Sequence, residues 1–217
     1  MIKYILFDLD GTLTDPGLGI TNAVMYALKK YNIEVEDRSE LYKFIGPPLR
    51  DSFSKYYGMT AEEAEQAVIY YREYYSVTGL FENQVYEGIP DLLSQLKGDG
   101  YKLVLATSKP DKFSIAILEH FDLYKYFDFA ACATFDGKRD SKASVINYAL
   151  ESLEINDTSE VIMIGDRLHD VEGARECGID AIGVTYGYGD RAEHEADGAK
   201  YIADTVDEIS QIIYRIK

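Results

Sequence analysis

The chain is poor in cysteine and in positive charge, and it has no long apolar run. Cys132 and Cys177 are the only cysteines among 217 residues, and they are far apart in apolar or helical contexts. That pattern excludes a disulfide scaffold and a zinc site, and it indicates reduced structural thiols. No apolar run approaches the ~20 residues of a membrane-spanning helix. The N-terminus turns acidic too early for a signal peptide, so we expect a cytoplasmic protein.

Basic residues are few relative to acidic ones. Twenty-two Lys and Arg against thirty-eight Asp and Glu give a formal charge of −16. Nucleic acids and anionic membranes select Lys- and Arg-rich patches, so neither is expected as the main partner. A small anionic substrate is not excluded, because one local site can oppose the overall charge. Apolar residues make up 47% of the chain, which is enough for a packed core and excludes global disorder.

Five short apolar runs predict buried strands. They lack polar alternation, as expected of parallel strands that are covered on both faces. Amphipathic patterns between most of them predict helices. Strands that alternate with helices indicate an α/β fold with a doubly wound parallel sheet. The runs are Ile2–Phe7, Leu103–Ala106, Phe129–Ala133, Val161–Ile164 and Ala181–Val184.

About seventy residues after the first strand break this alternation, with helical patterns and no convincing strand. Asp15 followed by Pro16 predicts an N-cap and a first helical position. Thr60 and Glu63 have the spacing of a capping box. The many tyrosines of this stretch are expected to serve in packing. A helical insert of this size predicts a cap domain with its own core. The expected domains are an α/β core of residues 1–14 and 87–217, and a helical cap of residues 15–86.

Polar side chains follow three of the predicted strands. Ligands of an open α/β sheet bind beyond the carboxyl ends of its strands, so these side chains should share one edge. Several carboxylates in one crevice repel each other unless a cation neutralises them. Oxygen donors with no clear histidine or cysteine ligand favour Mg²⁺. The side chains are Asp8 and Asp10 after the first strand, Thr107, Ser108 and Lys109 after the second, and Asp166 and Asp170 after the fourth.

The first of these groups has the residue types that phosphoryl transfer needs. Gly11 allows the chain to bend, so that Asp8 and Asp10 can both face the crevice. One carboxylate can attack and form an aspartyl-phosphate, while the other handles the proton. The remaining task is to position and neutralise the phosphoryl oxygens. Thr107, backbone N–H groups and Lys142, at the start of a predicted helix, are candidates for it.

The chain resembles the haloacid dehalogenase superfamily. The sequence from Asp8 to Thr12, DLDGT, matches the first motif of that superfamily, and Gly165–Asp170, GDRLHD, matches the fourth. Thr107 fits the second motif and Lys142 the third. All four motifs occur in order, and the resemblance covers essentially the whole chain. It is closest to the phosphoglycolate phosphatase-like branch, with its helical C1 cap, through two local features. These are Gly46–Phe53 and Tyr186–Gly189.

The resemblance implies a phosphoric monoester hydrolase that acts on a small phosphorylated metabolite. Asp8 would be the nucleophile and Asp10 the general acid and base. The second acid argues against dehalogenation, since true dehalogenases of this superfamily lack it. Thr107, the Ser108 amide and Lys142 would hold the phosphoryl oxygens. The implied Mg²⁺ ligands are the Asp8 carboxylate, the Asp10 carbonyl and Asp166, with Asp170 acting directly or through water.

Several alternatives stay open at this level. Arg50 of the cap either clamps a second anionic group of the substrate or is a solvated helical arginine. Lys109 either reaches the pocket or caps the sheet edge. The three histidines are assigned no chemistry. A phosphosugar mutase, a phosphonate hydrolase and a catalytically silent phosphate-binding protein are alternative functions. The sequence decides neither the physiological substrate nor whether the protein is a monomer or a homodimer.

Overall fold

The computed structural model describes residues 1–136 and 138–216. The chain divides into two compact units. The core unit comprises Met1–Thr14 and Val85–Lys217, and the helical unit comprises Asp15–Gln84. The second boundary therefore falls just before the one expected from the sequence, between residues 86 and 87. Lys217, which ends the expected core domain, lies outside the described residues.

Eight strands are present in the described residues: β1 (Tyr4–Phe7), β2 (Thr14–Asp15), β3 (Gln84–Val85), β4 (Lys102–Pro110), β5 (Phe129–Ala133), β6 (Val161–Gly165), β7 (Asp180–Val184) and β8 (Tyr201–Ala203). Six of them form one parallel sheet in the order β5-β4-β1-β6-β7-β8. The pair β2 and β3 forms a small second sheet. The predicted parallel α/β fold is confirmed, and each of the five predicted strands is present.

Nine α-helices accompany these strands over the same residues: α1 (Gly17–Lys29), α2 (Leu49–Tyr57), α3 (Ala61–Tyr74), α4 (Ile89–Gly98), α5 (Asp111–His120), α6 (Lys142–Ser152), α7 (Leu168–Glu176), α8 (Arg191–Asp197) and α9 (Val206–Arg215). Short 3-10 segments and one π-helical turn at Tyr75–Gly79 supplement them. Within the part of the chain that the structure describes, no helix is long and apolar enough to cross a membrane.

The central strand β1 is buried on both faces, which explains its continuous apolar sequence. Ile5, Leu6 and Phe7 have no exposed surface. Leu6 lies beside Val104 of β4 and Met163 of β6 in register, and all three join one hydrophobic cluster with residues of α6 and α7. Complete burial of each such side chain contributes about 1.5–3 kcal/mol to folding. The apolar sequence that predicts the strand thus also fixes its place at the centre of the sheet.

The start of α1 differs by one residue from the prediction. The helix begins at Gly17, and Pro16 precedes it in a non-helical conformation. Asp15 still caps the turn, because its Oδ1 accepts a hydrogen bond from the Gly17 N–H at 2.9 Å. The predicted capping box of α3 is confirmed. The Thr60 hydroxyl accepts from the Glu63 N–H, and the Glu63 carboxylate accepts from the Thr60 N–H at 2.9 Å.

The prediction that no strand lies between residues 15 and 86 is wrong. Asp15 ends β2, and β3 occupies Gln84–Val85. β8 in the core unit was also missed. Strands of two or three residues are too short to show a run or an alternation, so their sequences carried no signal.

The helical unit has an aromatic core of its own. The rings of Phe44 and Phe53 are buried, with centroids 5.1 Å apart. Tyr71 and Tyr75 are also buried, and their rings stack at 5.1 Å. Aromatic pairs of this kind add about 0.5–1.5 kcal/mol beyond the area that they bury. These two tyrosines therefore serve in packing, as the sequence predicted.

Candidate active site

The candidate site lies at the carboxyl ends of three adjacent strands of the core unit. Asp8 directly follows β1 and Asp166 directly follows β6, while Thr107 lies in the last part of β4. β4, β1 and β6 are neighbours and parallel, so their ends meet at one edge of the sheet. Lys142 and Asp170 come from the first turns of α6 and α7. The topology thus gathers residues from four distant parts of the sequence.

Lys142 is a buried cation placed between two of the carboxylates. Its Nζ lies 2.9 Å from Asp8 Oδ1 and 2.7 Å from Asp170 Oδ1. It also donates a hydrogen bond to the Ala106 carbonyl at 3.0 Å. Burial lowers the pKa of Lys142, but the charges of Asp170 and Asp8 outweigh burial and leave that pKa raised. A permanent positive charge is therefore held beside Asp8.

Three carboxylates converge closely enough to share a metal ion. Asp8, Asp166 and Asp170 each offer an oxygen, and these oxygens lie within 4.8 Å of one another. Burial raises the pKa of Asp166 well above its usual range, and the charges of Asp170 and Asp8 raise it further. Burial also raises the pKa of Asp170, against the opposing effect of Lys142. This concentration of buried negative charge and oxygen donors suits a hard divalent cation such as Mg²⁺.

Asp166 is held in place by two loops. Its Oδ2 accepts a hydrogen bond from the Tyr188 N–H at 2.8 Å, and its Oδ1 lies 3.5 Å from the Thr12 hydroxyl. The Tyr186 hydroxyl in turn donates to the Thr12 carbonyl at 2.9 Å. The loop that contains Tyr186 and Tyr188 therefore connects the first motif, through Thr12, with the fourth motif, through Asp166.

Two glycines allow these loops to approach. Gly11 has a φ of +80°, and a Cβ there would lie 2.0 Å from Asp166 Oδ2. A Cβ on Gly187 would lie 2.2 Å from the Gly11 carbonyl oxygen and 2.5 Å from Asp166 Cβ. The left-handed conformation of Gly11 is the bend that the sequence required after Asp10. A side chain at either position would displace Asp166.

Asp10 occupies a different environment from Asp8. Its carboxylate pairs with Lys109 through Oδ2, while its Oδ1 is buried without a hydrogen-bond partner among the described residues. Burial raises the pKa of Asp10, the neighbouring Lys109 lowers it, and the net shift is upward. A raised pKa favours the protonated form, which suits a carboxyl group that must donate a proton.

The other site residues predicted from the sequence lie in different parts of the structure. Thr107 is buried, and its Oγ1 accepts a hydrogen bond from the Lys109 N–H at 3.2 Å. Ser108 is half-buried near the end of β4. Arg50 lies in the helical unit, where it forms an ion pair with Glu65 and has a side chain 61% exposed. This exposed ion pair within the helical unit is typical of an arginine on the surface of a helix.

Glu193 supports the fourth motif and was missed by the sequence reasoning. Its Oε1 accepts hydrogen bonds from the Leu168 N–H at 2.8 Å and from the Arg167 side chain at 3.2 Å. It belongs to α8 and follows no strand, so its sequence position gave no signal. The supporting roles of Thr12 and Tyr186 were also missed, although both lie in segments that the motifs single out.

Comparison with known proteins identifies the family. The sequence model of the family of haloacid dehalogenase-like hydrolases matches residues 5–184. A 5'-nucleotidase of Pseudomonas aeruginosa is 45% identical over 201 residues, which are 92% of this chain and 90% of that protein. A protein of Mycobacterium tuberculosis named tyrosine-protein kinase PtkA is 36% identical over 213 residues, 97% of this chain and 72% of its own.

A solved structure gives the same result. The crystal structure of a predicted phosphatase from Clostridium acetobutylicum has 52% sequence identity and a TM-score of 0.95, over 99% of each chain. The resemblance predicted from the four motifs is confirmed. The chain belongs to the haloacid dehalogenase-like hydrolases and is an enzyme of the phosphoric monoester hydrolase type.

Proposed function

We propose that the protein is a Mg²⁺-dependent phosphatase that hydrolyses a small phosphomonoester through a phospho-aspartate on Asp8. The observation that carries this proposal is the placement of Lys142, 2.9 Å from Asp8 Oδ1 and beside the buried carboxylates of Asp166 and Asp170. A fixed cation next to a carboxylate nucleophile is what the negative oxygens of a transferring phosphoryl group require.

In the first step the Asp8 carboxylate attacks phosphorus, and the bond from phosphorus to the leaving oxygen breaks. Asp10 donates its proton to that oxygen, so an alcohol departs and phospho-Asp8 remains. The raised pKa of Asp10 favours the protonated form that this step needs. Lys142, Thr107 and the Ser108 N–H hold the phosphoryl oxygens in this proposal.

In the second step water attacks the phosphorus of phospho-Asp8. Asp10, now ionised, accepts the proton from the water, and the bond between phosphorus and the Asp8 oxygen breaks. Inorganic phosphate leaves, and both carboxyl groups return to their starting state. Asp10 therefore acts as acid and then as base.

Mg²⁺ would be held by the carboxylates of Asp8 and Asp166 and the carbonyl of Asp10, with Asp170 binding directly or through water. The ion would supply further positive charge for the phosphoryl oxygens. The three converging carboxylates and the raised pKa of Asp166 support this assignment. The oxygen donors and buried charge fit Mg²⁺ better than a softer metal.

The substrate class is proposed to be a small phosphorylated metabolite. The similarity to a 5'-nucleotidase makes a nucleoside monophosphate the first candidate. The −16 charge of the chain argues against a nucleic acid or a membrane surface as partner. A cytoplasmic location and a monomeric or homodimeric state are also proposed, as expected from the sequence.

The test measures phosphate release from p-nitrophenyl phosphate and from a nucleoside 5'-monophosphate, with Mg²⁺ and with EDTA. Wild type, Asp8→Asn and the exposed control Asp91→Asn are compared. We expect release by wild type and Asp91→Asn with Mg²⁺ only, and no release by a folded Asp8→Asn protein. Mg²⁺-dependent activity in Asp8→Asn would contradict the proposed nucleophile. Transfer to a sugar hydroxyl without phosphate release would favour a mutase instead.

A further inference from the structure

Lys109 is brought towards Asp10 by an irregularity at the end of β4. β4 pairs with β5 regularly up to Thr107 opposite Cys132, but the next pair is Pro110 opposite Ala133. Ser108 and Lys109 of β4 therefore lie between these two pairs, at the register shift. Such bulges bend a strand locally and redirect the side chain that they carry.

Hydrogen bonds restrain both the N–H and the carbonyl of Lys109. Its N–H donates to Thr107 Oγ1 at 3.2 Å, and its carbonyl accepts from Ser114 Oγ at 3.2 Å. Ser114 has no exposed surface and lies in the first turn of α5. The bulge is therefore anchored to the neighbouring helix, and the backbone from which the Lys109 side chain extends is fixed.

The contact between Lys109 and Asp10 is asymmetric. Lys109 Nζ pairs with Asp10 Oδ2, and the two side chains are only 8% and 14% exposed. Asp10 Oδ1 is buried and has no hydrogen-bond partner among the described residues. One oxygen of Asp10 is thus restrained, while the other is left for a further polar atom. Buried polar atoms are rarely left unpaired unless a ligand or catalytic role uses them.

We propose that Lys109 is a positioning residue for Asp10, which holds Oδ2 so that Oδ1 faces the leaving oxygen of the substrate. The inference rests on the proposed role of Asp10 as general acid. It assigns Lys109 a function that differs from recognition of a second anionic group on the substrate. Positioning within a few tenths of an ångström matters because proton transfer needs a hydrogen bond of about 2.6–3.2 Å.

This role makes the importance of Lys109 depend on the leaving group. An alkoxide is strongly basic and needs a proton as its bond to phosphorus breaks, whereas p-nitrophenolate leaves readily without one. Loss of a positioning residue for the acid should therefore slow alkyl phosphates more than aryl phosphates. A lysine that binds the transferring phosphoryl group would instead matter equally for every ester.

The experiment compares kcat/KM of wild type and Lys109→Met on p-nitrophenyl, phenyl and a primary alkyl phosphate. This quantity covers the reaction up to departure of the leaving group and excludes the later hydrolysis of phospho-Asp8. We expect kcat/KM of Lys109→Met to fall at least tenfold more on the alkyl than on the p-nitrophenyl ester. Lys109→Arg should recover part of the difference. Lys112→Met, an exposed lysine of the adjacent helix, is the matched control and should behave as wild type.

Ser114→Ala is a second probe that leaves the ion pair in place. It removes the hydrogen bonds from Ser114 Oγ to the Lys109 and Pro110 carbonyls, so it should show the same dependence on leaving group to a smaller extent. This variant keeps the test valid if Lys109→Met folds poorly. An equal fall in kcat/KM across the three esters, or no fall in kcat/KM, would overturn the inference.

The two proposals can fail separately. An active Asp8→Asn protein would contradict the proposed chemistry, whatever Lys109→Met does. An inactive Asp8→Asn protein, together with a uniform effect of Lys109→Met, would leave the phosphatase proposal standing and remove the role of Lys109.

Discussion

Lys142 Nζ and Asp170 Oδ1 lie 2.7 Å apart, and both side chains are almost completely buried. Their helices, α6 and α7, both begin at the carboxyl edge of the sheet. The lysine thereby balances part of the charge that Asp8, Asp166 and Asp170 concentrate there. A buried carboxylate cluster without such a partner would be costly to ionise.

Replacement of Lys142 by Met should therefore reduce both stability and activity. Removing one partner of a buried ion pair costs about 3–5 kcal/mol, because the other charge is left uncompensated. Loss of the cation beside the nucleophile should lower kcat by roughly 10²-fold or more. Urea unfolding at neutral pH and phosphate-release assays measure the two effects. The double variant Lys142→Met/Asp170→Asn should regain part of the stability, and equal stability of wild type and Lys142→Met would contradict the assignment.

A methyl group at residue 187 should disturb the site, although it adds only one carbon. In Gly187→Ala the Cβ would meet the Gly11 carbonyl oxygen at 2.2 Å, so the loop or Asp166 must move. We expect activity to fall at least tenfold and the unfolding temperature to drop. Gly98→Ala is the control, because nothing lies within 4 Å of a Cβ there. Since Gly98 ends α4, that change should be neutral or stabilise the protein by less than about 1 kcal/mol. Equal effects of the two substitutions would count against the close loop packing.

Asp128 should contribute to stability in a pH-dependent way. Burial works to raise its pKa, but hydrogen bonds from Lys97, the Leu103 N–H and Lys102 outweigh burial and leave that pKa lowered. A carboxyl group with a lowered pKa in the folded state stabilises the protein above its unfolded pKa of about 3.9. That contribution disappears as the pH falls through the lower pKa of the folded state.

Asp128→Asn should therefore lower the free energy of unfolding by about 1–2 kcal/mol near neutral pH. The difference from wild type should shrink steadily below about pH 4. Urea midpoints of both proteins across this range provide the measurement. A difference that stays constant down to the acid limit would show that the charge of Asp128 is not responsible.

The two thiols should react slowly in the folded protein. Burial raises the pKa of Cys132 and that of Cys177 to about 11 each. At neutral pH little of either thiol is the reactive thiolate. We expect an aromatic disulfide reagent to modify the folded protein much more slowly than the urea-unfolded chain. Cys132 is the more deeply buried, so the Cys177→Ser variant should react more slowly than Cys132→Ser. Rapid modification of the native protein would contradict these environments.

The core sheet was predictable because its strands are long enough to show a pattern. Ile5, Leu6 and Phe7 are apolar in succession since both faces of β1 are covered. β8, at Tyr201–Ala203, has three residues at the sheet edge and no such run. The start of α1 was misplaced by one residue because Asp15 caps the turn through Gly17 while Pro16 stays outside the helix.

The candidate site was predictable to the extent that its residues follow strands or begin helices. Asp8 and Asp166 meet because neighbouring parallel strands end together. Lys142 opens α6 as expected from the sequence. Glu193 could not be found in this way, because its contact with Leu168 depends on the packing of α7 and α8. The ion pair between Lys109 and Asp10 likewise depends on a bulge that apolar patterns do not encode.

The central position of β1 also constrains the order of folding. Tyr4 pairs with Lys102 on one side and with Val161 on the other, so the first strand to be synthesised has neighbours that follow much later. During translation β1 remains without β4 until residues 102–110 have emerged, and without β6 until residues 161–165 have emerged. The intervening helical unit has its own core and can form in that interval. Once the paired strands β2 and β3 form at its two ends, they shorten the effective loop between β1 and β4, which lowers the entropic cost of closing the sheet.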